Sequence, residues 1–415
     1  MPHVPQDEAA VRHYPFAQPA PLEAPPEWES MRRECPVARV TLPSGDEATL
    51  LTRYDDVRTA LRDPRLSREG TASEDAARVS DGEGDIFNSP MARTLNAVGQ
   101  QRWRRRLSRW FTAKRVQALR PDMERVAERL IDEMTAKPGP ADLVAGLAFP
   151  LPVYVICAML GVPERDRDAF KGWSDTFLSM TKYTADEMAT AQREFAAYMT
   201  GLIEEKRADL EAGRVVEGEE DLLTLLLTAP DSEGAVLPDE ALVATGQALL
   251  LAGHETTAGF IALMVAHLLS DRAGRWERLV ADRTLIRSAV EESLRIDPSN
   301  GLGMVRYVHE DVEFGDEVVP KGTTVVCSMS AANRDESTFT DAHTMDLSRS
   351  PNPHLTFGAG PHSCLGQPLA RTEMQTVLEV LLRRLPGLEL AVERAELRHV
   401  EGLLTGPLRE LPVRW

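Results

Sequence analysis

The ten residues Phe357-Gly358-Ala359-Gly360-Pro361-His362-Ser363-Cys364-Leu365-Gly366 carry the strongest chemical signal in the chain. Gly358 and Gly360 permit positive φ, so the backbone can turn amide N–H groups inward. The apolar pattern from about Leu365 to Arg384 predicts a helix directly afterwards. Cys364 then stands at a helix N-terminus, where unpaired N–H groups and the helix dipole stabilise a thiolate. A thiolate is the form of cysteine that ligates iron. A lone cysteine in such a turn also reads as a buried structural residue. Cys35, Cys157 and Cys327 lack these surroundings and keep that structural reading.

Ala252-Gly253-His254-Glu255-Thr256-Thr257 is the second chemical constellation. Glycine and β-branched residues are poor choices for a helix interior. A buried carboxylate beside buried hydroxyls is costly unless it is solvated or used. The Thr256 hydroxyl can bond the carbonyl of Ala252, four residues back, and loosen the helix enough to admit a diatomic molecule. An acid beside a hydroxyl suits proton transfer. The alternative is a helix bend with a satisfied buried Glu255, and His254 and Thr257 fit that structural role. Glu292 and Arg295, three apart on one helix face, predict an ion pair. Arg102, Arg104, Arg105, Arg106 and Arg109 form a basic cluster that reads as a solvated helix face or a dock for an acidic protein.

The elements that must position these residues are mostly helical. Val40 to Thr52 reads as a hairpin around Pro43-Ser44-Gly45-Asp46, followed by a short helix from about Asp55 to Arg62. Leu66 to Asn96 shows no period and reads as a lid or binding loop. Helical spacing runs through Arg102–Phe111, Asp122–Met134, Pro163–Phe177, Ala185–Gly213 and Leu222–Thr228. The longest helix opens at Pro238 and runs to about Leu269, apolar on nearly every face and so expected to be buried. A further helix spans Leu285 to Ile296. Short strands are expected at Val312–Phe314, Val318–Val319 and Thr324–Cys327, with strands and turns from Leu388 to Trp415. The fold class is mainly α with small peripheral β-sheets. No linker divides the 415 residues, which read as one domain, 1–415, with an extended N-terminal strap at 1–30.

Composition narrows the partners. A net charge of −18 argues against nucleic acid, because phosphate repels an acidic surface. Four widely spaced cysteines without a CxxC pair argue against a zinc knuckle and fit a reducing compartment. The first ten residues lack the pattern of a signal peptide, and no uninterrupted apolar stretch suits a bilayer, so a cytoplasmic protein without membrane contact is expected.

The cysteine segment resembles the cysteine-loop signature of the cytochromes P450: Phe357, Gly358, Gly360, His362, Cys364 and Gly366 fall at the family's offsets. Six fixed positions outweigh the structural reading of Cys364. The resemblance covers the chain from the Val40 hairpin to Trp415 and implies the P450 fold with one haem b (iron protoporphyrin IX), bound through Cys364. Thiolate ligation donates electron density that favours O–O cleavage. In that setting Phe357 covers the sulfur, Gly366 lets the helix approach the porphyrin and His362 contacts a propionate. Arg306, His354, Gln101 and Arg105 are the other implied haem contacts. The family's usual Asp-Pro-Pro-Glu run is Ala97-Val98-Gly99-Gln100 here. Ala252 to Thr257 resembles the acid–alcohol motif, in which Thr256 steadies the oxygen reactant and Glu255 relays protons. Glu292 and Arg295 match the Glu-x-x-Arg motif that holds the cysteine loop. The family's third partner, an Arg, falls at Thr344 beside His343.

The implied activity is monooxygenation of a small organic molecule by O2, with electrons from NAD(P)H through a ferredoxin reductase and a separate ferredoxin. Arg102, Arg104, Arg106 and Arg109 are the expected ferredoxin dock. A haem peroxygenase would lack the Glu255–Thr256 pair, and a non-enzymatic gas-binding sensor would not need it. The substrate is expected to be a natural-product scaffold with hydrogen-bonding groups, in a pocket lined by the Leu66–Asn96 loop, Phe177–Tyr183, Ser299–Met304 and Leu403–Gly406.

Overall fold

The computed structural model describes residues 12–73, 75–79, 91, 94–95, 98–178, 184–216, 218, 220–230, 234–297, 301–400 and 406–415. The chain forms two compact units. One comprises Met1–Asp85, Pro298–Met345 and Pro353–Ser363, and the other Ile86–Asp297, Asp346–Asn352 and Cys364–Trp415.

The first unit is built on a five-stranded sheet. Its order is Val37–Thr41, Glu47–Leu51, Thr324–Cys327, Met304–Val308, Leu66–Ser67. The first pair is the expected hairpin, with Val37 opposite Leu51 and Thr41 opposite Glu47. Glu47–Leu51 runs parallel to Thr324–Cys327, and the other pairings are antiparallel. Strand Met304–Val308, absent from the sequence reading, holds Arg306 opposite Val325. The helix Tyr54–Ala60 follows the hairpin as expected. The N-terminal stretch is not extended throughout: Glu27–Glu34 is a helix that buries Trp28 and Met31. Its spacing was hidden behind Pro25 and Pro26, yet proline suits the entry to a helix.

The second unit is helical. Asp239–Leu269, 31 residues long, spans about 46 Å. By length and composition it is apolar enough to cross a membrane, but most of its residues are buried against helices of the same unit. These include Pro150–Leu160, Arg167–Leu178, Ala185–Glu211, Ile286–Ile296 and Gln367–Arg384. Pro150–Leu160 went unread because ten of its eleven residues are buried, which leaves no polar face to give a period. Thr184 opens Ala185–Glu211 with a capping box, accepting from the Glu187 amide while Glu187 Oε2 accepts from the Thr184 amide. A small sheet of Ala141–Asp142, Pro412–Arg414 and Glu389–Leu390 closes the C-terminal part. The mainly helical class with small sheets is the one the sequence implied.

Candidate active site

Cys364 lies three residues before the helix Gln367–Arg384. Its sulfur accepts from the backbone N–H groups of Gly366 and Gln367, the donors that a helix N-terminus leaves free. Arg104 and Arg371 add positive charge near it. Cys364 is exposed as a residue. The protein packed around its sulfur nevertheless raises the thiol pKa; the Gly366 amide, Arg104, the Gln367 amide and Arg371 pull against that rise. A helix N-terminus by itself would lower the thiol pKa. Desolvation of the charged sulfur is the larger effect. The other cysteines behave as structural residues. Cys157 and Cys327 are buried, and burial pushes the Cys327 thiol up to about 12. Cys35 is half-buried and donates to the Val37 carbonyl at 3.6 Å.

Arg104, from the basic cluster, brings its charge near Cys364. On the helix Gln100–Ser108, Gln101 and Arg105 are exposed, whereas Gln100 and Arg104 are half-buried. Trp103 Nε1 donates to Thr245 Oγ1 at 2.8 Å, which fixes the helix's rotation against Asp239–Leu269. One residue of register turns a side chain by about 100°, which separates Gln100 and Arg104 from Gln101 and Arg105 around this helix. The basic cluster is divided as well. Arg106 is buried and donates to the Ala235 carbonyl at 2.5 Å, leaving Arg102, Arg105 and Arg109 exposed.

In the other unit the residues before Cys364 form a tight loop. Gly358 and Gly360 have φ of +69° and +73°, as the sequence required. A Cβ on Gly360 would stand 2.7 Å from the Leu61 carbonyl oxygen. The Gly358 amide donates to the Leu355 carbonyl at 2.7 Å, and the Ser363 amide to the Gly360 carbonyl at 3.1 Å. The loop is anchored by Asn333, which the sequence did not single out. Its Oδ1 accepts from the Leu355 amide at 2.6 Å and its Nδ2 donates to Thr356 Oγ1 at 3.0 Å. His354 and Phe357 pack ring to ring at 5.9 Å, with His354 and His362 half-buried. Arg306 is buried, with Nη1 donating to the Val305 carbonyl at 2.8 Å.

Midway along Asp239–Leu269, Thr256 Oγ1 donates to the Ala252 carbonyl at 2.9 Å, the bond expected from the spacing. The helix assignment continues without a break from Asp239 to Leu269. Glu255 is half-buried, not buried. Ala252 and Thr256 are exposed, while His254 and Thr257 turn into the core. His254 pairs its Nε2 with the Phe149 carbonyl at 2.9 Å and packs edge-on against the Phe149 ring, a structural role.

Glu292 and Arg295 form the predicted pair, with both side chains fully buried. Arg295 Nη2 donates to Glu292 Oε1 at 2.7 Å and Nε to Oε2 at 2.8 Å. The third partner is Arg349, whose Nε donates to Glu292 Oε2 at 3.0 Å. The Asp346 amide at 2.9 Å and Asn352 Nδ2 at 3.1 Å complete the shell. Thr344, where the family's arginine was expected, instead makes a backbone turn to Asp341. The pocket segments read from the sequence fall largely outside the described residues: 80–90, 179–183, 299–300 and 403–405 among them.

The Cytochrome P450 family model matches residues 36–273 and 275–397. This chain is a cytochrome P450. Nocardicin C N-oxygenase of Nocardia uniformis subsp. tsuyamanensis is 40% identical over 407 residues, covering 98% of this chain and 99% of that one. Mycinamicin IV hydroxylase/epoxidase of Micromonospora griseorubida is 41% identical over 409 residues, with the same coverages. Among solved structures, the mixed-function P450 MycG superposes with a TM-score of 0.89 at 39% identity, over 98% of this chain and 100% of that chain. The LnmA hydroxylase of the leinamycin pathway of Streptomyces atroolivaceus S-140 gives 0.86 at 38%, again over 98% and 100%. The P450 is therefore an oxidoreductase of the monooxygenase class that uses protoporphyrin IX haem, O2 and electrons from redox partners. The donor set fits that cofactor. Cys364 carries a sulfur with two backbone amides and two guanidinium groups near it, a setting suited to a thiolate ligand of iron.

Proposed function

We propose that this P450 binds its haem through Cys364 and tailors a secondary metabolite, inserting one oxygen atom from O2. The observation that carries the ligand assignment is the convergence of the Gly366 and Gln367 amides with Arg104 and Arg371 on one cysteine sulfur. Arg104, Gln100, Arg306, His354 and His362 would meet the propionates, Phe357 would shield the sulfur, and Gly366 keeps the helix start free of a side chain. When bound, the haem supplies the activation of O2, using two electrons brought from outside the chain.

The protein's own contribution on the oxygen side is proton handling. Thr256 Oγ1 directs its single hydrogen to the Ala252 carbonyl, which leaves its lone pairs as acceptors. To deliver a proton it must release that carbonyl and be reprotonated, and half-buried Glu255 next to it is the group we assign to that relay. The Glu292 network holds 346–352, a segment leading toward the cysteine loop, by three separate donors. The exposed arginines Arg102, Arg105 and Arg109 are a fitting dock for an acidic ferredoxin on a chain of net charge −18. We read the two units as parts of one haem domain, because the family model spans both, and the enzyme as cytoplasmic. The relatives named for nocardicin C, mycinamicin IV and the leinamycin pathway support a natural-product substrate.

Replacement of Cys364 by alanine tests the assignment. The variant is expected to lose the strongly red-shifted Soret band of the reduced carbon monoxide complex, because that shift needs thiolate ligation. Persistence of the band in Cys364→Ala assigns the ligand elsewhere.

A further inference from the structure

A second, separate ion pair joins the two helices that converge near Cys364. Arg371 Nε donates to Glu291 Oε1 at 2.7 Å and to Oε2 at 3.0 Å, and its Nη1 donates to Gln367 Oε1 at 2.9 Å. Glu291 directly precedes Glu292 on Ile286–Ile296. Neighbouring helical residues point about 100° apart, so the two carboxylates serve different partners: Glu292 turns to Arg295 and Arg349, Glu291 to Arg371. Gln367 and Arg371 stand four apart on one face of Gln367–Arg384, three and seven residues after Cys364. Gln367 links Cys364 and Arg371 twice, through its amide N–H toward the sulfur and its side-chain oxygen on Arg371. The side chains of Arg371 and Glu291 are 29% and 20% exposed, so water screens this pair only in part.

We propose that Glu291 and Arg371 are positioning residues that set the charge felt at Cys364, with Arg371 supplying positive field and Glu291 limiting it. The inference rests on the reading of Cys364 as the haem ligand. A staple that only joined two helices would weaken the fold when either partner was removed, and its effects would share one sign. A charge-setting pair gives opposite signs. Loss of the Glu291 carboxylate removes negative charge beside Arg371 and favours the state that has gained an electron; loss of the Arg371 guanidinium disfavours it.

The test is a redox titration of the haem-loaded protein, with dithionite as the electron donor and the ferrous-to-ferric ratio read optically. For Glu291→Gln that ratio, at a fixed potential, should rise about three- to tenfold, an upward shift of about 30–60 mV at 59 mV per decade for one electron. For Arg371→Gln it should fall by a similar factor, Arg371→Lys should stay near wild type, and the double variant should return to within about twofold. The reduced carbon monoxide spectrum is recorded on the same samples. Opposite shifts with the red-shifted band retained support the pair's role. Shifts of one sign, or none, with the band retained overturn it and leave Cys364 as ligand. Absence of the band from the wild-type protein overturns the ligand assignment and this inference with it. If Arg371→Gln fails to take up haem, the direction for Glu291→Gln decides: upward supports the proposal, and any other result overturns it.

Discussion

Glu292→Gln is the most informative single change for the architecture of the site. The substitution keeps the side chain's shape and removes its charge. Glu292 accepts five donors on two oxygens: two from Arg295 and one each from the Asp346 amide, Arg349 and Asn352. Glu292 and Arg295 have no exposed side-chain surface, so solvent cannot take over when one charge goes. Removing one partner of a buried pair costs about 3–5 kcal/mol. Arg349→Ala should cost less, about 1.5–3 kcal/mol, the range for one hydrogen bond to a charged group. There Glu292 keeps both bonds from Arg295 and those from Asp346 and Asn352. Urea unfolding of the full-length protein, followed by tryptophan fluorescence, measures both; Trp276 is fully buried in the same unit. A cost below about 1 kcal/mol for Glu292→Gln, or a larger cost for Arg349→Ala than for Glu292→Gln, would refute the reasoning.

Two further outcomes are expected. Thr256→Ala should bind substrate and consume reductant normally but release more peroxide per product; unchanged coupling between NAD(P)H use and product would remove the hydroxyl from the proton path. Glu373 lies fully buried on Gln367–Arg384, and burial raises its carboxyl well above the ordinary glutamate value. A carboxyl raised in the folded state holds its proton there, so its stability contribution is whole below the unfolded value near pH 4.3 and is lost as pH rises toward the folded value, by up to ~1.4 kcal/mol per pH unit. Glu373→Gln should therefore flatten the decline in urea midpoint between pH 5 and 8, and parallel curves for variant and wild type would count against this account.

Features set by neighbouring residues were legible in the sequence. The left-handed Gly358 and Gly360, the Thr256 bond to Ala252 and the Glu292–Arg295 pair all follow from offsets of four or fewer residues. Arg349 was not legible, because it reaches Glu292 across 57 positions from a segment without a period. The nearness of Arg104 to Cys364 was not legible: without the Asp-Pro-Pro-Glu run, tertiary contacts such as Trp103 on Thr245 fix the rotation of that helix. Asn333 gave no signal because its task, pairing Leu355 and Thr356, depends on a loop whose path no local pattern encodes. The raised thiol of Cys364 could not be foreseen either, since desolvation depends on atoms brought together from distant parts of the chain.

The two loop glycines look alike in the sequence but set different limits on substitution. At Gly358 the described residues demand just the sign of φ, for among them a Cβ there would meet nothing nearer than Ser363 Cα at 3.8 Å. Asparagine and aspartate tolerate that left-handed conformation, so a saturation library should recover them at 358. At Gly360 the same backbone conformation coincides with hard contacts to the Leu61 oxygen at 2.7 Å and to Arg62 Cα at 3.0 Å. Both opposing atoms are backbone, so no rotamer change makes room. Position 360 is thus closed to all nineteen other residues, and the loop is gauged there by the bare thickness of the main chain.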